Sequence, residues 1–376
     1  MKQHEKTILF LPFLQIPSGH HQAANAIIDS IEEMMPHVQC KKVDILSYSY
    51  GRIENLVSQI YLKWIQYFPN IYNLIYQASV YRKLDEDKRY RLYELLFLPF
   101  MKRLLNDVRP DLIVCTHALP SYMLNYLKKK ELIKIPIINI YTDYFIHRFW
   151  GVHHIDFHFV PSIHVKDYLI KKGIPNRHIY HTGIPIHKKI TIDKQEATTS
   201  NTSYKILLTG GNLGVGEIEK LLKTTEENNG FHYYVLCGKN EVLFNKLKKL
   251  NRKHITPLTY ISCREKMNAL YESIDGIVTK PGGVTISEAL YKKKPIFIYH
   301  ALPGQERINL EKLTDLGVVT HLQNWASKEQ SLESQLRGFF ENDSLMNDFF
   351  QKLNVYHQHL NEKKPAEIIR DLLHNA

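Results

Sequence analysis

Short apolar runs alternate with helix-patterned stretches along this chain, stop once, and then resume, and no other feature limits the fold as strongly. The first series of runs is "TILFL", "CKKVDIL", "DLIVCTH", "IPIINIYT", "DFHFVP" and "IYHTGIP". A polar stretch without periodicity, "KITIDKQEATTSNTS", then intervenes. The second series is "YKILLTGG", "HYYVLCG", "ITPLTYI", "GIVTKPGG" and "PIFIYHALPG". Alternating βαβ units predict parallel, doubly wound sheets that bind ligands at their C-terminal strand ends. With 376 residues, the chain also exceeds what one core usually supports. The expected fold is α/β, two Rossmann-like doubly wound domains facing a cleft: 1–188, a linker at 189–203, and a second domain from 204 to 360.

One region departs from the alternation. From 53 to 104 there is no strand signal, only helix-compatible sequence rich in aromatic and basic residues. Trp64, Tyr67 and Phe68 lie close to Arg82 and Lys83, a mixture suited to a membrane–water interface. A helical insertion whose aromatics pack on the first domain has the same composition. The acidic triplet at 85–87 sits inside "RKLDEDKRYR" and reads as a salt-bridged helix face rather than a metal site.

The formal charge of +11 implies an anionic partner. No helix-turn-helix, zinc-finger or RNP pattern is present, so acidic membrane or phosphorylated small molecules are favoured over nucleic acid. Four scattered cysteines without a CxxC pair fit a reducing cytoplasm. No window has the ~20 apolar residues of a membrane span. The expected location is cytoplasmic, peripheral to the inner face of the cell membrane.

Three stretches carry chemistry. "LLTGGNLGVG" turns from strand to helix on glycines, including Gly210 and Gly211, followed by Asn212, and its helix start suits phosphate. Glycines that only turn the chain would look alike. In "TKPGGVTISEAL", Lys280, Gly282 and Gly283 precede Thr285 and Glu288. Thr285-x-x-Glu288 is a capping-box pattern, with Glu288 bonding the cap amide. The competing reading is an anion pocket with a carboxylate one turn away, fit for the phosphates and ribose diol of a nucleoside diphosphate. "PGQERIN" brings Gln305, Glu306 and Asn309, side chains suited to sugar hydroxyls but equally ordinary in a surface loop.

Taken as an ordered set, "PSGHHQAANAI", "NIYTDYFIHRFW", "TGIPI", "LLTGGNLG", "VLCGKN", "TKPGGVTISEA" and "PGQERIN" resembles the inverting glycosyltransferases of family 28. The likeness is strongest to monogalactosyldiacylglycerol synthases and processive diacylglycerol β-glucosyltransferases. It implies the GT-B fold, with a C-terminal helix at 361–376 crossing back to the first domain. It also implies roles: His20 as base, Asp143 as an acidic group near the cleft, and Gly210, Gly211 and Asn212 beneath the donor diphosphate. Lys280 would contact that diphosphate, Glu288 would hold the ribose, and Gln305, Glu306 and Asn309 would read the hexose. The family's glycine-rich loop is reduced here to 16–19, which gives a stiffer approach to His20.

A neutral histidine suits the inverting reaction, because one base must deprotonate the acceptor hydroxyl as UDP departs. The expected activity is transfer of a hexose from a UDP-sugar to a lipid acceptor, diacylglycerol being favoured, at an anionic membrane surface. With no metal-binding triplet in evidence, Lys280 and helix N-termini would carry the leaving-group charge, and no cofactor or essential divalent ion is expected. The alternatives are a UDP-GlcNAc 2-epimerase-like enzyme and a non-catalytic UDP-sugar sensor.

Overall fold

The computed structural model describes residues 5–13, 18–50, 89–192, 203–210, 218–227, 229–327 and 329–375. Gly211, Asn212, Trp64, Tyr67, Phe68, Arg82 and Lys83 lie outside these residues. The chain divides into two compact units, one of residues 1–187 with 359–376 and the other of 188–358.

Unit one holds a six-stranded sheet, β1 (Thr7–Leu11), β2 (Gln39–Lys42), β3 (Leu112–Cys115), β4 (Ile137–Ile140), β5 (Phe157–Val160) and β6 (Ile179–His181). Its order is β2-β1-β3-β4-β5-β6, and every recorded pairing is parallel. Parallel strands are covered on both faces, so each residue of β1 can be apolar. Successive side chains then enter opposite layers. Ile8 and Phe10 pack with Ala24, Ile27 and Ile31 of helix α1 (Gly19–Met34) and with Ile369 and Leu373 of the last helix (Pro365–Asn375). Leu9 and Leu11 face the other layer, which includes Leu124 and Leu127. Met34, at the end of α1, stands 37% exposed.

The second strand is shorter than its apolar signal. Asp44 ends it by accepting hydrogen bonds from Leu46 N (2.8 Å) and Ser47 N (3.5 Å), which start α2 (Ile45–Tyr50). The described end of the aromatic region is helical as well, α3 (Arg91–Val108), with Pro99 inside it. Two further helices complete the part of unit one that concerns function, α4 (Ala118–Lys129) and α5 (Ile163–Lys171).

Unit two repeats the architecture. Strands β7 (Tyr204–Thr209), β8 (Phe231–Leu236), β9 (Ile255–Leu258), β10 (Gly276–Thr279), β11 (Ile296–Ile298) and β12 (Thr320–His321) form a sheet of order β12-β11-β10-β7-β8-β9. Its helices include α6 (Ile218–Lys223), α7 (Glu241–Leu250), α8 (Arg264–Ser273), α9 (Gly283–Tyr291) and α10 (Gln305–Asp315). In both sheets the chain leaves the first strand in one direction and later returns to its other side. That reversal falls between β1 and β3 in unit one, and between β7 and β10 in unit two. Ligands of doubly wound sheets bind beyond the C-terminal ends of such strand pairs.

Candidate active site

His20 is the second residue of α1, the helix that follows β1, and the register Leu11↔Cys115 brings Thr116 to the end of the adjacent strand β3. Cys115 in turn aligns with Asn139, so Thr142 and Asp143 follow β4 on the next strand across. His20 Nδ1 lies 2.8 Å from the Thr116 carbonyl oxygen and 2.7 Å from Thr142 Oγ1. A carbonyl can only accept, so Nδ1 must carry the hydrogen. The ring's lone pair is therefore on Nε2. Three strand ends thus fix one tautomer of a half-buried imidazole.

The electrostatic surroundings keep that imidazole neutral. Burial lowers the His20 pKa below the ordinary histidine value, against the raising effects of the Asp143 charge and the Thr116 carbonyl. Asp143 is itself buried. The edge of the His117 ring meets His20 at 4.8 Å and 87°. His117 caps α4 by accepting from Leu119 N at 3.1 Å, and Phe13 stacks on it at 4.7 Å. Burial, then His20, His147 and His21, hold the His117 pKa well below the usual range. His147 is pushed down to about 3, chiefly by burial and then by His20. These rings add no net positive charge at neutral pH.

The segment carrying Asp143 and His147 is anchored from below. Asn139 Nδ2 donates to Gly151 O (2.7 Å), Gly151 N donates to Ser121 Oγ (3.1 Å), and Tyr141 packs on Trp150 at 4.7 Å. A Cβ on Gly151 would stand 2.3 Å from Asn125 Cβ and 2.6 Å from Ser121 O, so only glycine allows this approach to α4.

In unit two the register Val278↔Leu208 carries Gly210 and Lys280, two residues further along each strand, to one edge. Both are buried. Lys280 is only 6% exposed, yet among the described residues no carboxylate pairs with it. A buried ammonium without a counter-charge is costly unless an anion completes the site. The amino end of α9 adjoins it, with Gly282 at the N-cap and Gly283 as the first helical residue. Gly282 has an ordinary φ of −84°, and a Cβ there would meet nothing within 4 Å. Packing does not demand glycine at this position, and the missing side chain leaves the helix mouth open.

The structure overturns the capping-box reading. Helix α9 starts at Gly283 and has no side-chain cap, so Thr285 is its third residue and Glu288 its sixth. Glu288 is buried instead against α8, where Tyr271 Oη donates to its Oε2 at 2.9 Å and Arg264 Nη1 lies 3.7 Å from Oε1. Burial raises its pKa, while Tyr271 and Arg264 draw it back. Asn309, 2% exposed, donates to Pro281 O at 3.3 Å and so ties the "PGQERIN" and "TKPGG" turns together. Glu306 accepts from Leu302 N at 2.7 Å and closes its own loop. Both side chains are engaged within the protein. Gln305, the first residue of α10, is half-buried. Among the described residues no three His, Cys, Asp or Glu side chains are grouped to hold a metal ion.

Sequence reasoning missed Thr116, Thr142, His117, Tyr271 and Arg264. The first three stand just after strand ends, in "CTH" and "YTD", and that position was their available signal. Tyr271 and Arg264 lie on a helix 17 and 24 residues before Glu288, where nothing local marks them.

A family model described as Monogalactosyldiacylglycerol (MGDG) synthase matches residues 20–186. The chain is 42% identical over 368 residues to the uncharacterized glycosyltransferase YkoN of Bacillus subtilis (strain 168), covering 98% of this chain and 97% of YkoN. It is 29% identical over 301 residues to a processive diacylglycerol beta-glucosyltransferase of Bacillus cytotoxicus, covering 78% and 76% of the two chains. Among solved structures, MurG of Acinetobacter baumannii superimposes with a TM-score of 0.61 at 13% identity, over 99% of this chain and 100% of MurG. A UDP-GlcNAc 2-epimerase of Neisseria meningitidis bound to UDP-GlcNAc reaches 0.56 at 13% identity, over 98% and 100%. These likenesses establish the GT-B fold, which transferases and epimerases share. The sequence relatives separate the two classes.

Proposed function

This chain belongs to the glycosyltransferase family of the monogalactosyldiacylglycerol synthases and processive diacylglycerol β-glucosyltransferases, and from that premise we propose that it transfers a hexose from a UDP-sugar to diacylglycerol with inversion. The supporting observation is the tautomer of His20. An Nε2 lone pair, presented by a neutral ring at a strand switch point, is what a base for an acceptor hydroxyl requires. In the proposed step Nε2 removes the hydroxyl proton while the oxygen bonds to the anomeric carbon. The bond from that carbon to the diphosphate oxygen breaks on the opposite face. The products are the glycolipid and UDP, and the proton held on His20 passes to solvent.

Departing UDP takes the electron pair, and its charge needs compensation. Lys280, which no carboxylate among the described residues pairs, and the open amino end of α9 supply it in this reading, without a divalent ion. Glu288, braced by Tyr271, would accept hydrogen bonds from the ribose hydroxyls, and Gln305, at the start of α10, would contact the hexose. No helix among the described residues is long and apolar enough to cross a membrane. We place the enzyme peripherally at the inner membrane face, with Trp64, Tyr67, Phe68, Arg82 and Lys83 as candidate contacts. Loss of co-sedimentation with anionic vesicles on Trp64→Ala plus Tyr67→Ala would support that location, and unchanged co-sedimentation would remove it.

The test of the activity is incubation with UDP-glucose, UDP-galactose or UDP-GlcNAc and diacylglycerol vesicles, with and without EDTA. Release of UDP matched by glycolipid, absent in His20→Ala and insensitive to EDTA, is the expected result. Consumption of UDP-GlcNAc without an acceptor would favour an epimerase, and UDP-sugar binding without turnover a sensor.

A further inference from the structure

Two neutral imidazoles stand side by side in unit one with opposite hydrogen-bonding polarity. His20 spends its Nδ1–H within the protein and keeps a lone pair on Nε2. His117 is its complement. Its Nδ1 accepts from the Leu119 amide at 3.1 Å, so in the neutral ring the hydrogen is on Nε2. That hydrogen meets no acceptor among the described residues, and the half-buried ring leaves it open to solvent. The two ring centroids are 4.8 Å apart, so the Nε2 atoms are separated by no more than that distance plus one ring width. A single small group of a substrate can bridge such a span. Phe13, stacked on His117 at 4.7 Å and 27°, holds the ring and places an apolar face beside it. Capping of α4 accounts for the Nδ1 of His117 and leaves its Nε2–H without a task.

We propose that His117 sets acceptor specificity, its Nε2–H donating to the ester carbonyl that neighbours the hydroxyl deprotonated by His20. The role rests on the transfer proposed above and names which part of the acceptor is read. At one end of the span a hydroxyl gives its proton to the His20 lone pair. At the other, a second oxygen of the same molecule accepts from His117. In a glycerol diester that oxygen is the carbonyl of the adjacent ester, separated from the hydroxyl by a carbon–carbon bond and the ester linkage. The donor is uncharged, since burial and the neighbouring rings keep His117 from protonating at neutral pH. It suits a neutral carbonyl, whereas a phosphate or carboxylate is held best by cations. An ether oxygen at the same place is the poorer acceptor, because a carbonyl oxygen carries more negative charge. The contact forms when the acceptor binds and persists through the reaction, so its loss raises KM more than it lowers kcat.

The experiment uses the full chain, UDP-glucose or UDP-galactose, and phosphatidylcholine vesicles carrying either dioleoylglycerol or the corresponding dioleyl glycerol diether. The parent should favour the diester by about tenfold in kcat/KM, as expected when one hydrogen bond is made to the ester and left unmade to the ether. Asn is itself a good N-cap residue, so His117→Asn keeps the cap of α4 and withdraws the Nε2 donor. That variant should show a preference of about twofold or less, the change lying in KM. An undiminished preference in His117→Asn, or an equal loss of kcat on both acceptors, would overturn the role and leave the transfer intact. So would the absence of any preference in the parent, a result that needs no variant. Failure of the parent to form glycolipid from either acceptor would instead remove the transfer itself, and this role with it.

Discussion

The two strand switch points of this protein solve opposite electrostatic problems. At the end of β1 and β3 the ionisable rings are kept neutral, and the hydrogen-bonding capacity of His20 Nδ1 is used within unit one. At the end of β7 and β10 a lysine is buried, and no carboxylate compensates it among the described residues. The first arrangement is ready to take up a proton. In the proposed function the second receives the negative charge of the departing diphosphate. In that function one fold, used twice, serves as a proton-handling edge and an anion-handling edge through the different residues that follow its strands.

Substitutions can break that contrast, the most severe at His20. Replacing it with Ala should lower kcat by ~10³-fold or more while UDP affinity changes less than about twofold. Titration of UDP by calorimetry reads the second half, and a large affinity loss would remove His20 from the role of base. Lys280→Met should do the reverse on binding, weakening UDP by roughly 10- to 100-fold, since a charge-assisted contact is lost. Unchanged UDP affinity would show that its burial serves packing alone.

Tyr271→Phe leaves the Glu288 carboxylate without its closest donor and should weaken UDP binding about fivefold, with little change in kcat. Because burial already raises the Glu288 pKa, the variant's UDP affinity should also decline at a higher pH than the parent's as acid is added. Equal pH profiles would refute Tyr271 as a positioning residue. The pH dependence of stability reads the neutral rings of unit one separately from binding. His147 and His158 have pKa values pushed down to about 3 in the fold, against ~6.5 when unfolded. Protons therefore bind the unfolded chain first, and stability is fully present above pH ~6.5 and is lost as pH falls from there towards 3. A Tm constant between pH 7 and 4.5 would contradict this.

The sequence made the sheets legible because buried parallel strands are continuous apolar runs, and "TILFL" and "GIVT" are unambiguous in that respect. It placed Gly210 and Lys280 just after strands, where they stand. Strand β12 escaped notice because two residues, Thr320 and His321, make no pattern. The start of α9 was misread because a glycine N-cap has no side-chain signature, whereas Thr285-x-x-Glu288 has a persuasive one. The partners that fix His20 were illegible for a different reason. Thr116 and Thr142 lie 96 and 122 residues away and reach it only through strand register. Identities at strand ends can be read from a single chain, but the hydrogen bonds between them cannot.

The account turns on the state of one ring, which nitrogen NMR of the full chain with ¹⁵N-labelled histidine observes directly, His20→Ala assigning the signal. The account predicts a neutral His20 at pH 7 with the proton on Nδ1 and a bare Nε2, and protonation only below the ordinary histidine pKa. A protonated ring at pH 7, or a proton resting on Nε2, would contradict it.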